Sequence, residues 1–437
     1  MLVRVTVWLI KSLHTTSVQR ISLWLPLFSF KMIQNDTFNA EVISLENTQI
    51  AFSYKSKEEL RKTALIFSAI NLPMLTQVGT KLVKFALKLK LPIHGILRKT
   101  IFWQFCGGES IAQCEPTIQL LGQYGVKTIL DYSAEGKKTE DGFEKVTQQI
   151  LSTVARAKDD PRIPFCVFKV TGIASFKLLE KIQAGQLLTT QEEEAFSRVK
   201  SRVDRICQAA SESEKRMLID GEESWIQDVI DSLAEEMMEK YNKKQVLIYN
   251  TYQMYRHDML KNLKRAFQRA ATRQYLLGVK LVRGAYMEKE RKRAEDMGYP
   301  DPIQPTKAAT DNNFDKALLY CINNKQRIAM VSGSHNEYSQ QYLTLLMQKH
   351  SLKNDDPRVY FSQLYGMSDN ISFNLAHAGY NVAKYVPYGP LGLVMPYLFR
   401  RAEENTSVAG QSSREYQLVQ RELKRRKKAK GTGKLQV

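Results

Sequence analysis

The sequence predicts an α/β protein built on a (β/α)8 barrel of TIM type, preceded by a helical arm. Three observations predict it. From about residue 125 onward, eight short apolar, β-rich runs recur with longer helical segments between them, the signature of a parallel sheet. The chain has 437 residues, enough for a barrel of about 250 residues plus extensions. No GxGxxG follows the first run, so the doubly wound alternative lacks its nucleotide-binding signature.

The predicted strands are Thr128–Tyr132, Phe165–Val170, Met217–Asp220, Val246–Asn250, Gly278–Val282, Ile328–Val331, Val359–Phe361 and Ala383–Val386. Between them the patterns predict helices such as Glu193–Ser211, Ser224–Tyr241, Asp258–Ala270 and Glu337–His350. The chain thus divides into an N-terminal extension (1–34), a helical arm (35–124), the barrel (125–420) and a basic tail (421–437). The extension lacks acidic side chains and carries Arg4, Lys11, Arg20 and Lys31. It reads either as a mitochondrial transit peptide or as sequence upstream of a true start at Met32. Within the arm, Lys81, Lys84 and Lys88 share a helix face, which suits a membrane-surface helix or an ordinary helix docked on the core. The tail from Arg421 to Lys434 reads as a disordered basic run, either solvated or drawn to anionic lipid.

Lys and Arg number 64 against 45 Asp and Glu, a net charge of +19. That balance points to an anionic surface. No zinc finger, RNP motif or basic zipper is present, so lipid is expected and nucleic acid is not. The five cysteines have no CxxC spacing, which argues against structural zinc and a disulfide framework and for a reducing compartment.

Candidate chemistry sits where barrel enzymes keep it, at the C-terminal ends of the strands. The second run ends in Lys169 and Thr171, and the third in Asp220, then Gly221, Glu222 and Glu223. The fourth leads to Gln253. The fifth, with GVKLVRGAY, supplies Lys280, Arg283, Gly284, Ala285 and Tyr286. The sixth leads to Ser334 and His335, and the eighth to Tyr385. Beyond it, Tyr397, Arg400, Arg401 and Glu404 are spaced i, i+3, i+4, i+7 and share a helix face. Paired guanidinium forks beside a phenol suit a planar anion such as a carboxylate, and the plainer reading is a solvated Arg/Glu helix end. Lys169, Asp220, Arg400 and Arg401 at one mouth would form a charged pocket for an anion or zwitterion. Gly284 and Ala285 leave room for close backbone approach beside Lys280 and Arg283, which suits a flavin edge or a phosphate.

The blocks KLVRGAYMEKERKRA, SHNE, YFSQLYGMSDNISFNLAHAGYNVAKYVPYG and PYLFRRAEENTS, in this order, resemble the proline dehydrogenase family from about Lys127 to Lys427. The resemblance implies a distorted barrel that binds FAD non-covalently, oxidises L-proline to Δ1-pyrroline-5-carboxylate and passes electrons to a membrane quinone. It implies that Arg400, Arg401 and Lys169 hold the proline carboxylate, that Asp220 orders the cluster, and that Tyr385 and Tyr397 cover the ring. It implies FAD contacts from Gln253, Lys280, Arg283, Gly284, Ala285, Ser334 and His335, with Glu404 holding pocket or cofactor. Lys280 and Arg283 look exchanged relative to many bacterial members. Gly221 stands where the family commonly has alanine, with a small loss of packing expected. The tyrosine at 385 favours proline over hydroxyproline. A hydroxyproline-preferring member of the family and a Schiff-base lyase using Lys169 are the alternatives. The expected setting is the cytoplasmic face of a bacterial inner membrane, or the matrix side of the mitochondrial one.

Overall fold

Eight parallel strands close into a barrel in strict sequence order, with β1 hydrogen-bonded to β8. They are β1 Val126–Tyr132, β2 Phe165–Phe168, β3 Arg216–Ile219, β4 Ile248–Gln253, β5 Leu277–Val282, β6 Ile328–Gly333, β7 Val359–Leu364 and β8 Val382–Tyr388. Closure excludes the doubly wound sheet. The computed structural model describes residues 42–71, 83, 89, 92–133, 139–407 and 411–431, and for residues 401–407, 411, 412, 430 and 431 the backbone alone.

Period-two alternation explains how one strand serves two cores. On β8, Ala383 and Tyr385 point into the barrel with Ile129, Phe165, Val167, Leu218, Tyr249, Val331 and Tyr360. Val382 and Val386 point outward and pack under the helices with Leu130, Cys166, Met217 and Leu281. The same alternation carries Lys169, Asp220 and Lys280 to the inner face at the strand ends. Neighbouring registers level them, since Phe168 pairs with Ile219 and Thr251 with Lys280. Gly278 lies where β4 and β5 approach closely, for a Cβ there would stand 2.1 Å from the Ile248 carbonyl oxygen.

Helix Ser224–Tyr241 falls where the periodicity predicts it, and the helices Thr190–Glu212, Met259–Thr272 and Glu337–Lys349 differ from prediction by a few residues. Strands β4, β6 and β7 run two to three residues past their predicted ends, because polar residues whose types suggest a loop are buried there, Thr251, Gln253 and Ser362 inside the barrel mouth, and Ser332 and Gln363 on the outer face against Gln340 and Ser372 of the helices. β2 stops at Phe168, and Val170–Gly172 forms a 3-10 turn.

The arm contributes helix Lys57–Ile70, closed at its start by a capping box between Ser56 and Glu59, and the short turns from His94 to Phe105. Lys81, Lys84 and Lys88 lie outside the described residues, as does the extension. The tail expectation is corrected: a helix runs unbroken over Gln411–Gly431 and packs along Lys57–Ile70. Its arginines are held. Glu422 is fully buried and accepts from Arg425, Arg426 and Thr48, while Arg421 and Arg414 both bond Glu46. Leu418 and Val419 complete the seam against Phe52 and Leu60.

Candidate active site

A cavity of about 520 Å³ opens at the C-terminal mouth of the barrel, within the range of small-molecule sites. Its lining draws on all eight strand ends and on helix Leu391–Ser407. At its floor, Asp220 receives two lysines on separate oxygens: Lys169 Nζ lies 2.7 Å from Oδ2 and Lys280 Nζ lies 2.6 Å from Oδ1. Lys280 also donates to Tyr385 Oη at 2.6 Å, and Tyr385 returns a bond to Asp220 Oδ1 at 3.0 Å. The Lys280 ammonium stands 4.4 Å from the Tyr385 ring centre.

Burial opposes charge on Asp220, but Lys169 and Lys280 overcome it and hold the carboxyl well below its ordinary range. The two lysines differ. Burial also disfavours charge on Lys169, yet Asp220, with Tyr286, Asp131 and Glu222 around it, keeps its pKa raised. For Lys280 burial prevails and the pKa is lowered despite Asp220. Burial pushes Glu222, which accepts the Thr171 backbone N–H at 3.0 Å, up to about 7.

Beyond Lys280, the KLVRGAY block continues along the cavity wall with Arg283, Gly284 and Ala285. Arg283 is fixed by Asp311 at 2.7 Å, Ser334 Oγ at 2.5 Å and Ser339 Oγ at 2.9 Å, with its guanidinium over Phe314. Gly284 has φ +135°, and a Cβ there would fall 2.5 Å from the Tyr255 ring, so only glycine fits this bend. Gln253 donates to the Glu222 carbonyl at 2.6 Å. His335 Nδ1 lies 2.8 Å from Ser368 Oγ. Tyr397 is buried at the cavity wall and Arg400 is half-buried there. The side chains of Arg401 and Glu404 lie outside the described residues.

Of the residues singled out from sequence, Lys169, Asp220, Gly221, Gln253, Lys280, Arg283, Gly284, Ala285, Ser334, His335, Tyr385, Tyr397 and Arg400 all line this one cavity. One expectation is corrected. Gly221 leaves no packing gap, because a Cβ there would meet Gln253 Nε2 at 3.2 Å and Thr251 Cγ2 at 3.3 Å. Sequence reasoning missed Asp131, Lys307, Gln363 and Met367, which also line the cavity. Asp131 lies near the C-terminal end of β1 and answers to the same strand-end rule. Lys169, Tyr286 and Arg400 also wall a second, adjoining cavity.

A large planar cofactor with phosphates fits this lining. Lys307 and the N-terminus of helix Glu337–Lys349 face the cavity as electropositive groups. Gly284 allows close backbone approach. Ser362 Oγ is buried on the cavity wall with no hydrogen-bond partner among the described residues, so a bound polar group would satisfy it.

The family model "Proline dehydrogenase" matches residues 114–414. The chain belongs to the proline dehydrogenase family. It is 30% identical over 434 residues to "Proline dehydrogenase 1, mitochondrial" of Dictyostelium discoideum, covering 89% of this chain and 76% of that protein. It is 31% identical over 412 residues to "Hydroxyproline dehydrogenase" of Xenopus laevis, covering 86% and 88%. The fold matches that of proline utilization A from Bdellovibrio bacteriovorus with TM-score 0.66 at 20% identity, over 90% of this chain and 42% of that one. Among the described residues no helix is long and apolar enough to cross a membrane.

Proposed function

We propose that this protein is an FAD-dependent proline dehydrogenase that oxidises L-proline to Δ1-pyrroline-5-carboxylate and passes the electrons to a membrane quinone. The observation that carries the reading is the charge arrangement at the cavity floor. Asp220 is already shared by two lysines, Arg400 stands on the same cavity, and burial disfavours charge on the neighbouring Asp131, so cations outweigh anions where a carboxylate would enter.

In this reading Lys169, Arg400 and Arg401 hold the substrate carboxylate. Asp220 anchors Lys169 from the far side, so the ammonium is aimed before substrate arrives and little orientational freedom is lost on binding. Tyr385 and Tyr397 lie against the pyrrolidine ring and keep water from it. Lys280, between Asp220 and Tyr385, is the cation at the boundary between substrate and cofactor. Gln253, Arg283, Gly284, Ala285, Ser334 and His335, with Gly221 behind Gln253 and Glu404 from the arginine helix, hold FAD. When bound, FAD supplies the acceptor for the hydride that leaves C5 of proline. The amine proton is released to solvent, so no strong protein base is required. Loose attachment to anionic lipid, favoured by the net charge of +19, would bring the enzyme to its quinone. The site would then face the membrane from the cytoplasm of a bacterium or from the mitochondrial matrix.

The purified protein should be yellow, and its visible flavin bands should bleach when L-proline is added without oxygen. A colourless protein that instead yields a borohydride-trapped imine at Lys169 would replace this reading with a lyase. The similarity to the Xenopus laevis protein keeps hydroxyproline as the second reading. The Tyr385 hydroxyl already bonds Asp220 and Lys280, and it crowds the space a ring hydroxyl would take. Proline should therefore have the higher kcat/KM by tenfold or more. A ratio near one would favour the second reading.

A further inference from the structure

A second carboxylate beside the cavity repeats the pattern at Asp220. Asp311, on helix Lys307–Asn323, receives two cations on separate oxygens: Arg283 Nε lies 2.7 Å from Oδ1 and Lys307 Nζ lies 2.6 Å from Oδ2. Asn336 Nδ2 adds a bond to Oδ1 at 3.3 Å. One helical turn on, and on the same helix face, Asp315 Oδ1 accepts the Ser339 hydroxyl at 2.6 Å. The buried Ser339 Oγ in turn accepts from Arg283 Nη2 at 2.9 Å. Between the two carboxylates, the Phe314 ring lies 4.4 Å from the guanidinium carbon. Arg283, Lys307 and Asn336 line the cavity, while Asp311, Phe314, Asp315 and Ser339 stand behind its wall.

We propose that Asp311 and Asp315 are positioning residues: they aim Arg283 at the cofactor cavity, Asp311 directly and Asp315 through Ser339. The inference rests on the reading of that cavity as the FAD site. The reason is a count of donors. A guanidinium has five N–H groups, a serine hydroxyl has one proton, and an ionised carboxylate only accepts. Among the described residues, Asp311, Ser334 and Ser339 take one N–H each from Arg283, which leaves two for a ligand. Ser339 gives its one proton to Asp315, so its oxygen is left with lone pairs and accepts from Arg283. Without Asp315 that proton is free to turn, and the Ser339 bond no longer fixes the guanidinium. A side chain held at Nε, Nη1 and Nη2 before the cofactor arrives has little rotamer freedom left to lose on binding. The charges agree with this role. Asp311 is shared between Arg283 and Lys307, so it orients two cations while cancelling one, and the wall still attracts an anionic cofactor.

Burial raises the Asp315 pKa to about 6, with Ser339, Arg283 and Lys307 opposing the rise and Asp311 adding to it, so the test is run at pH 8, where the carboxylate is ionised. The dissociation constant for FAD is read from the flavin lost on serial dilution of the full-length holoenzyme. It should rise about tenfold in Asp311→Ala and severalfold in Asp315→Leu, which keeps the side-chain volume and removes the acceptor. KM for proline, measured with FAD in excess, should change less than twofold in both. A double-mutant cycle separates positioning from a general part in folding. In an Arg283→Gln background, Asp315→Leu should weaken FAD binding by less than twofold, because its route to the cofactor is gone. Ser339→Ala cuts the same route without touching the helix and should match Asp315→Leu, which keeps the test valid if the leucine misfolds. A second readout needs no flavin. The Arg283 Nε–H signal in 15N-arginine NMR, identified by its loss in Arg283→Lys, should exchange with water at least tenfold faster in Asp311→Ala than in the wild type. An equal exchange rate, or an undiminished Asp315→Leu effect in the Arg283→Gln background, would overturn the proposal. A wild-type protein that binds no FAD would overturn the cofactor reading alone, since the exchange measurement still judges the hold of Asp311 on Arg283.

Discussion

Asp220 is the residue on which the site's electrostatics turn. It is nine-tenths or more buried, and two lysines reach it from different strands. Removing its charge leaves the buried Lys280 ammonium without its carboxylate and facing the partly exposed Lys169, a loss of order 3–5 kcal/mol for a broken buried pair. Asp220→Asn should therefore raise KM for proline at least a hundredfold and lower the melting temperature. Lys169→Met should raise KM similarly but leave FAD bound, because Lys169 bonds Asp220, while Arg283 and Gln253 are held by other partners. The pair of variants separates substrate binding from cofactor retention. Equal loss of FAD in both would contradict the division of the cavity into two poles. Gly221→Ala makes a finer test at the same scale. Its Cβ must displace Gln253 by a few tenths of an ångström, so flavin content rather than KM should fall, by severalfold after gel filtration.

At the scale of elements, the β5 end and its loop are the most constrained part of the mouth. Gly284→Ala combines a backbone region closed to L side chains with a 2.5 Å clash against the Tyr255 ring. The strain is about 1–3 kcal/mol before the clash is counted. The bend must open, and Arg283, fixed at three points, cannot follow without losing its bonds to Ser334 and Ser339. The purified variant is expected colourless, with a barrel that still folds by circular dichroism; retained flavin would show that the bend is softer than its geometry. This region was legible in the sequence because its information is local. Lys280, Arg283 and Gly284 stand within five positions after one apolar run. Strand ends were less legible where polar residues continue a strand to the mouth, as Gln253 and Gln363 do, for residue type there argues for a loop while distant groups, the Glu222 carbonyl for one and the Ser334 carbonyl and Ser372 hydroxyl for the other, supply partners only in the fold. The C-terminal helix was misread for a related reason. Its basic run suggests repulsion and disorder, and the carboxylates that hold it, Glu422 within the run and Glu46 nearly 400 residues earlier, are recognisable only once folded. The Ser368–His335 contact likewise joins residues 33 apart with no shared motif.

For the molecule as a whole, the barrel carries several buried carboxyls whose pKa values move in opposite directions, and the sign of each decides how stability follows pH. Burial raises Glu222 and Glu415 to about 7, and Asp231 and Asp315 to about 6. Between the ordinary carboxyl pKa and these raised values, the folded state holds protons that the unfolded chain has released. Stability therefore falls as pH rises through that window and levels off above it. Asp220 and Asp369 act in the other direction: burial opposes their charge, but their lysine partners depress both, so their contribution is present above the ordinary carboxyl pKa and is lost in stronger acid. The two trends leave a stability maximum near pH 5, below the pH at which a flavin dehydrogenase would work. Melting temperatures measured at fixed scan rate from pH 4 to pH 8 should peak near 5 and decline toward 7.5. Glu222→Gln removes one proton-holding group while keeping an acceptor for Thr171, so its decline between pH 5 and 7.5 should be shallower than wild type by a difference worth roughly 1 kcal/mol or more. A wild-type profile flat across this range, or an unchanged slope in the variant, would mean that Glu222 is ionised in the folded protein with Lys169 as its effective partner, and the lysine would then be less available to the substrate carboxylate.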